Sequence, residues 1–167
     1  MAGRLNLDVI GVESFQADPS IDLILRTKNK CEVPASVPRL LVCDQVSRID
    51  NNTDILTISD MGRISYESIK RKVKPNLGLE ILISNARILD AGELGRWVVR
   101  AKSLYSLCLS TRCQFIISSG AKSIFEMISS RTFESILKML EIPSSIYWKK
   151  LSEWLSSKDS ARFVKSL

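Results

Sequence analysis

A chain of 167 residues, 45% hydrophobic and 25% charged, is long enough for one domain with a sizeable core and short for two. Its 24 Lys and Arg against 18 Asp and Glu give a net charge of +6, which favours an anionic partner, nucleic acid ahead of an anionic membrane surface. There is no histidine, and the four cysteines (Cys31, Cys43, Cys108, Cys113) form no CxxC pair, so the spacing of a Cys/His zinc site is missing; nor does any apolar run approach the ~18 residues of a membrane span.

Leu5 to Val12 alternates as a first strand. Asp18-Pro19 then reads as a helix start, aspartate as N-cap and proline at the first helical position, for a helix that carries Ile21, Ile24 and Leu25 and fades near Lys28. Pro34 and Pro38 mark a loop, Arg39 to Asp44 a buried strand, and Gln45 to Thr53 a polar turn. Ile55 to Ile58 is the next strand, closed by Ser59-Asp60. Gly62 opens a short helix with Ile64, Ile69 and Val73 inward and Lys70, Arg71, Lys72 and Lys74 around it. Pro75-Asn76 stops that helix before the strand Leu77 to Ile83, which ends at Ser84-Asn85.

Asp90 and Glu93 form a capping-box-like start to the strongest helix, whose stripe is Leu94, Trp97, Val98, Ala101, Leu104, Tyr105 and Cys108. Arg96 and Arg100 stand on its opposite face. Phe115 to Ile117 is a short apolar strand, followed by the polar turn Ser118-Ser119-Gly120-Ala121-Lys122-Ser123. Ser129 or Ser130 is the expected N-cap of a helix with Phe133, Ile136, Leu137 and Leu140 on one face. Pro143 ends it, and Ser144-Ser145 begin a last helix with Tyr147, Leu151, Trp154 and Leu155 inward. Repeated strand–turn–helix units predict one α/β domain over residues 1–157 with a mostly parallel sheet, and a basic tail over 158–167. Pattern alone allows an open doubly wound sheet.

Parallel strands would bring Asp44, Ser59-Asp60, Ser84-Asn85 and Ser118-Ser119 to one rim. As an enzyme, the chain would use Asp44, Asp60 and Glu80 there as metal or acid–base carboxylates; as turn formers and N-caps, serine and aspartate at strand ends need no chemistry. Glu80 is the one charge inside an apolar strand and requires a partner, for which Lys122 is a candidate. Ser119 to Ser123 ends like a phosphate loop but lacks the upstream glycine, and nucleophilic catalysis lacks a histidine base. The basic residues are the stronger lead, although a lysine run on an exposed helix equally serves as a solvated face. Trp97, Tyr105 and Phe133 fall on apolar stripes, so no base-stacking platform is expected.

Ser118-Ser119-Gly120-Ala121 at a strand end, followed by Ser129 and Arg131, resembles the signature of the barrel-type protein subunit of archaeal and eukaryotic ribonuclease P, in which a Ser-Ser-Gly-Ala or Ser-Asp-Ala turn precedes a Leu-Arg-Ser-Pro-Arg-Asp-like run. Ile128, Ser130 and Thr132 depart from that run, at its first arginine, its proline and its aspartate. The resemblance implies a PHP-like TIM barrel, compact here and incomplete in its helices, because a full barrel usually takes at least ~200 residues. It implies a cytoplasmic, non-catalytic subunit of a ribonucleoprotein that removes 5′ leaders from precursor tRNA, with the magnesium used by the RNA and no cofactor or metal on the protein. The implied partners are ribonuclease P RNA and a small partner subunit in a heterotetramer, with precursor tRNA met indirectly and no membrane. Arg63, Lys70, Arg71, Lys72, Arg96, Arg100, Lys122 and Arg131 are the candidate RNA contacts. The alternatives are a metal-dependent PHP-like phosphoesterase and an interaction module without RNA binding.

Overall fold

A computed structural model of the chain describes residues 25–27, 39–62, 65–121 and 128–163. The expected strand at Leu5 to Val12 and the helix start at Asp18-Pro19 lie outside these residues. Five strands, β1 (Leu25–Thr27), β2 (Arg39–Cys43), β3 (Ile55–Ile58), β4 (Gly78–Leu82) and β5 (Gln114–Ser118), form one sheet in the order of the chain, every neighbouring pair parallel. The protein is therefore α/β with a parallel sheet, as the strand–turn–helix rhythm predicts. Leu25 corrects one expectation: it belongs to a strand opposite Arg39, not to a helix. Pairing with β2 satisfies the backbone there, and such tertiary pairing outweighs local helix propensity.

Side chains of one sheet face follow directly from the register. Ile55 pairs with Gly78 and Gly78 with Gln114, so Ile55 and Thr57, Gly78 and Glu80, and Gln114, Ile116 and Ser118 share a face. Leu56, Ile58, Leu79, Ile81, Phe115 and Ile117 share the other, and all six are buried. Strands this uniformly apolar mean a sheet covered on both sides. Each fully buried Leu or Ile contributes roughly 1.5–3 kcal/mol relative to exposure.

Two crossover helices cover the second face. Helix α1 (Tyr66–Lys72) is tied to α2 (Ala91–Thr111) by the Tyr66 hydroxyl, which donates to the Arg100 carbonyl at 2.9 Å. The α2 residue Tyr105 meets Phe115 of β5 edge to face, with ring centroids 5.6 Å apart. Asp90 caps α2, its carboxylate accepting the Glu93 N–H at 2.7 Å, which matches the capping-box reading. Of the expected stripe, Trp97, Ala101, Leu104 and Cys108 are buried, Val98 and Tyr105 are half-buried, and Leu94 lies at the exposed margin. Helix α1 starts later than Gly62, because the Ser65 side chain accepts the Ser68 N–H and so caps it, while the Gly62 N–H turns back to the Asp60 carboxylate.

Helix α3 (Ser130–Met139) is capped by Ser129, whose hydroxyl accepts the Thr132 N–H. Helix α4 (Ser144–Phe163) crosses the first face near the N-terminal ends of the strands. At its start, the buried Tyr147 hydroxyl accepts the Ile117 N–H at 2.9 Å, satisfying the edge of β5. About two turns later, Trp154 packs beside Gly78 and donates its indole N–H to the Asn76 carbonyl. A Cβ at Gly78 would stand 2.6 Å from Ile116 Cδ1 and 3.2 Å from the Trp154 ring, so only glycine admits both. Near its end Lys158 bonds Asp54 at the foot of β3. Helix therefore continues from Lys158 to Phe163, within the stretch expected as a tail.

Candidate nucleic-acid interface

Because every strand runs the same way, the segments after β2, β3, β4 and β5 do reach one rim of the sheet. There the Asn85 side chain donates to the Ser59 carbonyl at 2.6 Å, linking the exits of β3 and β4. The Ser84 N–H donates to the Ser119 carbonyl at 2.9 Å and links those of β4 and β5. Ser119 is buried, and its hydroxyl accepts the Ala121 N–H at 3.0 Å, an internal turn bond of the kind serine makes. Gly120 has a left-handed backbone (φ 68°) and abuts Ser84 and Leu82. The turn whose wording carries the family resemblance is thus a tightly held corner of the rim.

Below the rim, on the first face, lies Glu80, 1% exposed. Its carboxylate accepts the Thr57 hydroxyl at 2.5 Å and the Ser118 hydroxyl at 2.8 Å. Three adjacent strands are thereby joined side chain to side chain. The candidate partner Lys122 lies outside the described residues; Thr57 and Ser118 were not recognisable as partners in sequence, since they meet Glu80 only through strand order and register. Glu80→Leu is expected to lower stability by about 2–4 kcal/mol, because the buried Ser118 hydroxyl and the half-buried Thr57 hydroxyl lose their acceptor. Glu80→Gln, which keeps one acceptor oxygen, should lose less than half of that in urea denaturation. Equal losses for the two variants would show that packing alone, not the hydroxyl pair, holds Glu80 in place.

The candidate cations separate into three groups. Arg96 and Arg100 lie on the N-terminal half of α2, the half that starts at the rim. Arg100 is half-buried and leans over the β3 exit, with Nη1 3.7 Å from where Gly62 would carry a Cβ; Asp60 Oδ1 is 2.9 Å from the same point. Arg96, exposed, folds back toward Gly92 at the start of its own helix. Arg100 therefore belongs to the rim rather than to the outer ridge that helical spacing alone predicts. Lys70, Arg71 and Lys72 are exposed in the last turn of α1, which feeds the N-terminal end of β4. They sit at the opposite end of the sheet, where they complement the helix dipole, and neighbouring Lys74 donates to the Asp50 carbonyl at 2.6 Å.

Arg131, exposed in the first turn of α3, lines a groove with Lys138 and the α3–α4 turn, which Lys102 of α2 grips through Glu141 at 2.6 Å. Arg63 and Lys122 lie outside the described residues, although their neighbours Gly62 and Ala121 belong to the rim. Of the carboxylates considered for metal chemistry, Asp60 accepts its own turn's Gly62 N–H and Glu80 the two hydroxyls. Among the described residues no three Cys, Asp or Glu side chains cluster as a metal site, and no helix is long and apolar enough to cross a membrane.

No protein-family model matches this chain, and neither the curated proteins nor the solved structures contain a match to it.

Proposed function

We propose that the chain is a non-catalytic protein subunit of ribonuclease P, and that the C-terminal rim of its sheet faces the RNA. One observation carries this reading: the Ser118–Ala121 turn that resembles the family signature is a rigid rim corner, and Arg96 and Arg100 start from the same rim. The unreversed strand order fits the finer fold of the reading, an incomplete TIM-like barrel, better than a doubly wound sheet, whose order reverses at a switch point, whereas α4 on the first face departs from a closed barrel, which fills that face with strand side chains. In the proposed role, guanidinium groups offset phosphate repulsion where RNA helices converge and lower the magnesium the RNA requires. The RNA is recognised by shape and backbone, so no stacking platform is needed. The proposed assembly adds the small partner subunit in a heterotetramer, with precursor tRNA held by the whole particle in the cytoplasm.

Binding of the purified chain to ribonuclease P RNA, with and without the partner subunit, tests this across salt concentration. Arg96→Ala/Arg100→Ala is expected to weaken binding about tenfold and to flatten the salt dependence by about two phosphate contacts. Lys70→Ala/Lys72→Ala, at the far end of the sheet, should leave both quantities nearly unchanged. An absence of salt-dependent binding in both formats would overturn the proposal. Metal-dependent phosphodiester hydrolysis by the chain, lost in Asp60→Ala, would replace it with the phosphoesterase reading.

A further inference from the structure

Helix α2 ends in a way that brings two thiols together. Arg112 adopts a left-handed backbone (φ 58°), and the Cys113 N–H closes back on the Cys108 carbonyl at 3.2 Å. This is the helix-terminating arrangement in which the residue after the left-handed position meets a side chain of the last turn. Here both side chains are cysteines, Cys108 in the last turn of the helix and Cys113 just past the left-handed residue. Cys108 is 2% exposed, whereas Cys113 is half-buried. Both line a cleft of about 390 Å³ between α2, β5 and α4, whose other walls include Arg112, Lys150 and Glu153.

We infer that Cys113 and Cys108 form a peroxide-reactive thiol pair, with Cys113 the attacking sulfur, Cys108 the resolving one, and an internal disulfide the product. The inference is independent of any RNA role. Its geometry assigns the two parts. Cys113 is the thiol that the cleft can reach, and Cys108 is shielded behind it. The neighbouring Cys108 thiol holds the Cys113 thiol below the usual range, and the Thr111 hydroxyl, which donates to its sulfur at 3.3 Å, adds to this. Burial pushes the Cys108 thiol up, so it keeps its proton until it reacts. Reactive thiols need thiolate character and access together.

The reaction balances with a hydroperoxide as the only oxidant. The Cys113 thiolate attacks one peroxide oxygen, the O–O bond breaks, and the departing oxygen takes up a proton as water or an alcohol. Cys113 is left as a sulfenic acid. The Cys108 sulfur then attacks the sulfenic sulfur, forming the S–S bond, while its proton leaves with the hydroxyl as water. Two thiols and one hydroperoxide thus give a disulfide, an alcohol or water, and one further water.

The sequence makes the product easy to read, since trypsin cuts after Lys102, Arg112 and Lys122. The intact, folded chain is treated with hydrogen peroxide, its remaining thiols are alkylated in denaturant, and the digest is weighed. The expected product is Ser103–Arg112 joined to Cys113–Lys122, separated by dithiothreitol and formed on the order of tenfold faster than any oxidation of Cys43. Cys108→Ala should stop at a sulfenic acid on Cys113 that dimedone traps. Should that variant fail to fold, the wild-type digest decides alone. Unlinked peptides at full peroxide consumption, or Cys43 oxidised as fast as Cys113, would overturn the inference.

Discussion

Replacing Asp54 by alanine is expected to destabilise the protein by about 3–5 kcal/mol, the range for breaking a largely buried ion pair from one side. Asp54 stands just before β3, and three elements meet on its carboxylate. Oδ2 accepts the Leu41 N–H of β2 at 2.8 Å, and Oδ1 bonds Lys158 of α4 at 3.2 Å. The two side chains are only 10% and 15% exposed, so water cannot replace the lost partner cheaply. Lys158 also lies over the Trp154 ring, 5.1 Å from its centroid, and an unpaired ammonium would remain against that indole. Lys158→Met, which removes the charge and keeps the stem, should cost far less than Asp54→Ala. Chemical denaturation of the two variants and of the double variant measures the coupling. A loss below about 1 kcal/mol for Asp54→Ala would place the pair among ordinary surface bridges.

Gly120→Ala should cost about 2–4 kcal/mol of stability, and weaken RNA binding under the proposed function. The left-handed backbone costs a residue with a Cβ roughly 1–2 kcal/mol, and forcing a methyl group into a packed site adds about 1–3 kcal/mol. The added Cβ would stand 2.3 Å from Ser84 Oγ, which can rotate away, but also 3.1 Å from Ser84 Cβ and 3.3 Å from Leu82 Cβ. Neither of those carbons can yield freely, because the Ser84 N–H is bound to the Ser119 carbonyl and Leu82 is part of β4. Thermal unfolding reads the stability loss, and RNA affinity at fixed salt reads the change at the rim. Wild-type stability in this variant would mean that the corner relaxes easily and is no rigid platform.

Helix starts were largely written locally. Asp90 and Ser129 each accept a backbone N–H three residues ahead, a contact made within one turn and therefore visible in sequence order. The same holds for the apolar strands at Ile55, Gly78 and Gln114, since burial on both faces demands continuous apolar runs. Even the common rim follows where a helix crosses from one strand to the next, as α1 and α2 do, because such a crossover makes the pairing parallel.

Local patterns of residues thus set the α/β class, most element positions and the polar segments that end the strands. The assembled fold was needed to pair Leu25 with β2, to lean Arg100 over Asp60 while Lys70 to Lys72 lie at the other end, and to hold Glu80 between Thr57 and Ser118. It likewise decided that Lys158 anchors α4 on Asp54. The physical reason is the range of the interactions. Caps and helical stripes act over three or four residues, whereas Thr57 and Glu80 are 23 residues apart and Glu80 and Ser118 are 38, and side chains so distant are aligned only when strand order and register are set by the whole core.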